Sequence, residues 1–128
     1  MITEDHHQLF AAACEAATTV VVTTHMNPDA DAIGSEVGIV RYLASLGKQV
    51  RVVNNDPTPE TLRFLEDPAH PAEAYRPGDH DELLRSVDRI VLVDNSAPDR
   101  LGGMESIMAE VAGKVLCCLL YTSDAADE

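Results

Sequence analysis

Residues 18–36, TTVVVTTHMNPDADAIGSE, contain the pattern that decides the fold. Residues 18–24 are rich in β-branched side chains with an apolar centre, which is typical of a buried strand in a parallel sheet. A short polar turn follows. From about Ala32 to Leu46 apolar residues then recur at helical spacing, with Gly47 beyond the end. A buried strand that turns directly into an amphipathic helix is the usual opening of an α/β fold.

The rest of the chain continues this alternation of helices and strands. Further strands are predicted at 48–53, at 88–94 and from Val115, and helices at 4–17, 61–67, 81–87 and around 104–112. Residues 67–80 hold three of the seven prolines and are predicted to form a surface connection, with His70 and His80 solvated. This order predicts a three-layer αβα sandwich with a mainly parallel sheet.

Composition and charge limit the classes of function. The chain has 128 residues, 45% of them apolar, which suits one compact domain. Its net charge of -13 disfavours binding to long nucleic acid or to anionic lipid. No apolar run has the length of a membrane span and the N-terminus lacks a signal-peptide pattern, so a cytoplasmic protein is expected. The oligomeric state is left open.

The last eleven residues, CLLYTSDAADE, break the pattern. They resemble the translated read-through of a sequencing adapter, and such scars do not belong to the fold. The predicted division is therefore a domain over residues 1–117 and a non-native tail over residues 118–128. A genuine polar C-terminus is the alternative.

Four side chains are predicted to meet at one edge of the sheet. His25, Asp29 and Asp31 share the turn after the first strand, and Asp94 ends the strand at 88–94. Parallel strands place their carboxyl ends on one edge, where sites form in open α/β sheets. Mixed nitrogen and oxygen ligands suit manganese, magnesium or iron. The alternatives are a capped turn at residues 25–31 and an Asx turn at Asp94.

Longer motifs around these residues resemble a known family. HMNPDADAIGS, residues 25–35, is similar to motif I of the DHH phosphoesterases, and VDNSAPDRLG, residues 93–102, is similar to their motif II. NNDPTPETLRFLED, residues 54–67, resembles the segment between those motifs in the oligoribonuclease/pAp-phosphatase branch. The resemblance spans nearly all of residues 1–117.

The resemblance implies a two-metal site. It implies that His25 and Asp29 bind one metal, that Asp31 binds the second and that Asp94 bridges the pair, so that Asp31 and Asp94 would also be catalytic. The implied cofactor is Mn²⁺, two ions per complete site, with Mg²⁺ possible. Arg100 could hold a substrate phosphate or make a surface ion pair.

The implied activity is metal-dependent hydrolysis of short oligoribonucleotides, of 3′-phosphoadenosine 5′-phosphate (pAp), or of both. The family's third motif, Asp-His-His after the fourth strand, is absent, because Asp5-His6-His7 instead begins a predicted surface helix; the chain is therefore interpreted as a truncated DHH domain that is inactive by itself. Two alternatives stay open. One is a manganese inorganic pyrophosphatase, and the other is a non-catalytic module that binds a nucleotide, a metal or a protein partner.

Overall fold

Five parallel strands form the centre of the molecule. The computed structural model describes residues 15–94 and 101–118. The strands are β1 (Thr19–Thr23), β2 (Gln49–Asn54), β3 (Ala72–Ala74), β4 (Arg89–Val93) and β5 (Val115–Cys118). They form one sheet in the order β3-β2-β1-β4-β5, and all four pairings are parallel. The predicted parallel α/β architecture is confirmed.

Helices connect the strands. The α-helices of the described ranges are α1 (Ala30–Ser45), α2 (Pro77–Ser86) and α3 (Glu105–Glu110), and the 3₁₀ helices are Glu60–Leu65, Gly102–Met104 and Ala112–Lys114. The Asp29 side chain accepts a hydrogen bond from the Ala32 N–H and so caps α1 at its start. Beyond its end, Gly47 has a φ of 84°, which a glycine adopts without strain.

The two faces of the sheet bury different apolar clusters. Because side chains alternate along a strand, Val20 and Val22 of β1 face one way and Val21 faces the other. The first cluster also contains Ile39, Val40 and Leu43 of α1. The second contains Leu84 of α2 together with Ile107 and Met108 of α3. Helices therefore cover both faces, which is the predicted three-layer arrangement.

The segment predicted as a surface connection is more ordered than expected. It contains β3, which pairs with β2 through Val52↔Ala72 and Asn54↔Ala74. It also contains the first turn of α2, which starts at Pro77 rather than near residue 81. The prediction was wrong here because the three-residue edge strand, Ala-Glu-Ala, is held by backbone pairing and is too short for its alternation to signal a strand.

His80 was also predicted wrongly. Its side chain is buried, its Nδ1 accepts from the Arg76 N–H, and its Nε2 lies 3.1 Å from a Glu73 oxygen. The imidazole thus satisfies a backbone donor at the start of α2 and links that helix to the edge strand. This contact between neighbouring elements is not visible in the local sequence.

Two predictions fall partly or wholly outside the described residues: the helix at 4–17, up to position 14, and the tail beyond Cys118. Cys118 itself belongs to β5 and pairs with Val93. Within the described ranges, no helix combines the length and the apolar character needed to span a membrane.

Candidate metal centre

The two loops predicted to carry the ligands leave neighbouring strands. β1 and β4 are adjacent and parallel, with Thr23 opposite Leu92. From β1 the chain proceeds outward to β2 and β3, then returns to place β4 on the other side of β1. The strand order therefore reverses between β1 and β4. In open α/β sheets the crevice at such a switch point is where ligands bind.

Three of the predicted side chains converge in this crevice. His25, Asp29 and Asp94 each offer a ligand atom, and these atoms all lie within 4.8 Å of one another. The side chain of His25 is 2% exposed and that of Asp94 is 9% exposed, while Asp29 is open to solvent. One imidazole nitrogen and two carboxylates facing a solvent-accessible point form a donor set that fits a hard or borderline divalent cation.

The hydrogen bond at the back of His25 fixes which nitrogen faces the crevice. His25 Nδ1 lies 2.8 Å from the carbonyl oxygen of Met26, and a carbonyl can only accept, so Nδ1 carries the proton. In the neutral ring Nε2 then presents its lone pair. It lies 3.5 Å from Asp94 Oδ2, which is also an acceptor. Two facing acceptors are favourable only with a metal cation or a proton between them, and a backbone carbonyl behind a ligating histidine is a common arrangement in metal sites.

Asp29 combines the capping and ligand roles that the sequence left as alternatives. Its Oδ1 accepts from the Ala32 N–H at 2.9 Å and so caps α1. A carboxylate has a second oxygen, so the cap does not prevent coordination. The positive end of the α1 dipole lies at the same place and attracts a carboxylate. The capping bond holds Asp29 beside His25 in advance of any ligand.

The backbone at both loops adopts conformations suited to the residues present. Asn27 has a φ of 53° and Asp94 a φ of 57°, in the left-handed region that Asn and Asp tolerate best. The Asn27 N–H donates to Asp56 Oδ2 at 2.7 Å, which ties the turn to the end of β2. Such conformations persist only where the surroundings fix them, and they often mark functional sites.

The remaining predicted residues are not part of this cluster. Asp31 lies in the first turn of α1 and is exposed, outside the three-residue group. Arg100 lies outside the described residues. The structure therefore brings together the histidine and two of the three aspartates.

The segment after β2 contributes contacts that the sequence did not reveal. Asn54 is fully buried, and its amide group contacts Thr24 and Glu36. Asn55 Oδ1 accepts from the Gly103 N–H at 2.7 Å. In the sequence alone, the stretch NNDP is typical of a simple turn. A polar residue closing a buried strand was the available signal, because buried polar groups need partners.

Glu36 is a buried acid close to this rim. It is 2% exposed, its Oε1 accepts from Asn54, and its Oε2 has no hydrogen-bond partner within the described part of the chain. Burial raises the pKa of Glu36 to about 8, the hydrogen bond from Asn54 opposes the rise, and Glu66 adds to it. The Glu36 carboxyl is therefore largely protonated at neutral pH.

The chain is similar to a known family, to a curated protein and to a solved structure. Residues 19–118 match the DHH family, N-terminal domain. The bifunctional oligoribonuclease and PAP phosphatase NrnA of Thermus thermophilus is 38% identical over 88 residues, which is 66% of this chain and 24% of that protein. The crystal structure of an exopolyphosphatase-related protein from Bacteroides fragilis matches with a TM-score of 0.77 and 27% identity, over 91% of this chain and 35% of that one. The chain thus spans about a quarter of this curated relative.

Proposed function

Because the chain belongs to the DHH family, we propose that it is the first part of a metal-dependent phosphoesterase. The observation that carries the proposal is the convergence of His25, Asp29 and Asp94 within 4.8 Å at the switch point of the sheet. A histidine and two carboxylates from two separate loops are a costly group to hold together without a cation, since like charges repel.

In the proposed site, His25, Asp29 and Asp94 hold one divalent cation and Asp31 contributes to a second. We propose Mn²⁺ as the native ion, with Mg²⁺ as the alternative, because the donor set mixes imidazole with carboxylate. The bound ions would supply charge stabilisation at the phosphoryl oxygens during hydrolysis. The Met26 carbonyl accepts from Nδ1–H of His25, so the neutral ring turns the Nε2 lone pair towards the ion, and the helix cap sets the position of Asp29.

The proposed substrates are short oligoribonucleotides, pAp, or both. The support is the 38% identity to a protein described as a bifunctional oligoribonuclease and PAP phosphatase. The strongly acidic chain is consistent with small phosphorylated substrates rather than long nucleic acid, since a bound cation reverses the local sign of charge. We also propose that the enzyme is cytoplasmic, a location compatible with such substrates. Arg100, two residues before Gly102, is proposed to hold a substrate phosphate.

The proposed activity is tested on a longer reading frame that contains this sequence. We expect the residues after position 117 to complete a strand that ends in Asp-His-His. The encoded protein with Mn²⁺ should release phosphate from pAp and shorten di- to pentaribonucleotides. Release of phosphate from pyrophosphate with none from pAp would favour the pyrophosphatase alternative. Polyphosphate should be tested as a further substrate, because the Bacteroides fragilis structure is described as exopolyphosphatase-related.

The 128-residue chain itself is expected to bind one Mn²⁺ and to hydrolyse none of these substrates. The three converging ligands can hold one ion, whereas the second position depends on ligands from the third motif. Calorimetry with Mn²⁺ tests the expected binding, and a phosphate-release assay tests the expected absence of hydrolysis. A chain that neither binds Mn²⁺ nor responds to Asp29→Ala would support a plain interaction module instead.

A further inference from the structure

A continuous chain of buried hydrogen bonds runs beneath the metal-binding rim. Glu36 Oε1 of α1 accepts from Asn54 Nδ2 at 3.0 Å, and Asn54 Oδ1 accepts from the Thr24 N–H at 3.2 Å. The Thr24 hydroxyl in turn donates to the Val93 carbonyl at 2.7 Å. All four residues are buried, at 2% exposure or less. The chain joins α1, β2, β1 and β4.

Two members of this series of hydrogen bonds are sequence neighbours of the ligands. Thr24 is the residue before His25, and Val93 is the residue before Asp94. The Thr24 hydroxyl therefore spans the gap between the two strands at the last position before each ligand. Asn54 fixes the Thr24 backbone, and its bond to Glu36 ties the same point to α1, the helix that Asp29 caps.

We propose that the buried chain Glu36–Asn54–Thr24–Val93 is a positioning network, which sets the spacing of His25 and Asp94 for the cation. The proposal rests on the proposed metal site. Its members touch no ion. They act by holding the ends of β1 and β4 in one register. Loss of a hydrogen bond made directly to a ligand weakens metal binding roughly 10- to 100-fold, and the lower end of that range is the effect expected here.

Two alternative explanations make different predictions. If the network only added stability, metal affinity of the folded protein would be insensitive to its removal. If burial alone positioned the ligands, any loss of core packing would weaken metal binding. The network instead predicts that affinity follows the hydrogen-bonding groups and is separable from the midpoint of thermal unfolding.

The decisive pair of variants is Thr24→Val and Thr24→Ser in the 128-residue chain. Valine keeps the shape and strand preference of threonine but removes the hydroxyl, whereas serine keeps the hydroxyl and removes a methyl group. We expect Thr24→Val to weaken Mn²⁺ binding about 10-fold and Thr24→Ser to remain within about twofold of the parent chain. The unfolding midpoint should fall for serine, which loses buried apolar surface.

Substitutions at the other end of the network extend the test. Asn54→Leu should weaken Mn²⁺ binding by at least about 10-fold, since it removes two links at once. Glu36→Gln should leave the affinity within about twofold, because its amide oxygen still accepts from Asn54. Val40→Ala, one turn along α1, is the matched control: it should lower the unfolding midpoint and leave the affinity unchanged.

Amide exchange in the metal-free chain separates this proposal from the metal site itself. The Thr24 N–H donates to Asn54, so it should exchange slowly in the parent chain and in Glu36→Gln. It should exchange faster in Asn54→Leu or, if that variant does not fold, in Glu36→Leu. A parent chain that shows this protection but binds no Mn²⁺ would reject the proposed cation site and, with it, the assigned role of the network.

The proposal is overturned if Thr24→Val binds Mn²⁺ as tightly as the parent chain. It is equally overturned if Val40→Ala weakens binding as much as Thr24→Val does, because affinity would then follow general stability. Unchanged Thr24 exchange in both Asn54→Leu and Glu36→Leu would show that the hydrogen bonds do not hold this strand end.

Discussion

Asp94→Asn should reduce Mn²⁺ affinity by at least about 100-fold while leaving the fold intact. The substitution keeps the shape of the side chain and replaces an anionic ligand oxygen with an amide. Loss of outer-shell groups already weakens metal sites roughly 10- to 100-fold, so loss of a direct ligand should cost at least as much. The measurement is a calorimetric titration with Mn²⁺ at fixed ionic strength.

The backbone conformation at Asp94 accepts asparagine without added strain. Its φ of 57° lies in the left-handed region, which asparagine tolerates at least as well as aspartate. The unfolding midpoint in the absence of metal should therefore change little. Removing the anionic oxygen that faces His25 Nε2 at 3.5 Å also removes the arrangement that favours a cation there.

Asp31→Asn is the matched control for charge. Asp31 is exposed and lies in the first turn of α1, outside the group formed by His25, Asp29 and Asp94. Removing the Asp31 charge changes the electrostatic potential at the site. Salt screens exposed charges over about 10 Å, so we expect the Mn²⁺ affinity to fall only a few-fold. Equal losses for both variants would contradict this division of roles, because either overall charge or an ion bound by Asp31 as well would then explain them.

The fold could be predicted because its signals are local and strong. The Val-rich centre of β1 and the apolar spacing of α1 each specify an element, and parallel pairing then follows from their alternation. The edge strand Ala72–Ala74 could not be predicted, because its pairing with β2 depends on backbone groups that every sequence carries. The buried position of His80 depends likewise on where the edge strand lies.

The candidate site, like the fold, could be predicted from the sequence only in part. The motif places His25 and Asp29 on one turn, and parallel strands carry Asp94 to the same edge, so their approach could be inferred from the sequence. The contacts of Asn54 and Glu36 could not, since they depend on how α1 rotates over the sheet. Glu36 lies three residues after Ile33 and four before Val40, so helical spacing places it on the apolar face of α1, but its partner Asn54 is not visible from that spacing.

Burial of Glu36 should make the metal-free chain less stable as the pH rises from about 4.5 towards 8. The pKa of its carboxyl is raised from 4.5 to about 8 by burial, so the folded state holds a proton that the unfolded state releases over this range. The stabilisation from the raised pKa is complete below about 4.5 and is lost as the pH passes through about 8. The difference in pKa corresponds to at most about 5 kcal/mol of unfolding free energy.

Glu36→Gln should abolish this pH dependence, because the amide stays neutral and still accepts from Asn54. Relative to the parent chain, the variant should gain stability steadily from pH 5.5 to pH 9. A gain of about 2 kcal/mol at pH 9 would raise the unfolding midpoint by roughly 10 °C in a domain of this size. Thermal melts with chelator present, at intervals between pH 5.5 and 9, give both curves.

Comparison with an exposed acid isolates the effect of burial. Glu82 is 86% exposed on α2, so Glu82→Gln should follow the parent chain at every pH. The ionisable groups beside Glu36 are Glu66, which adds to the rise in its pKa, and Asp67 and His70, which line the same pocket. All three are present in both the parent chain and Glu36→Gln, so the difference between their curves reports Glu36. If that difference stays constant from pH 5.5 to 9, Glu36 does not hold a proton in the folded chain.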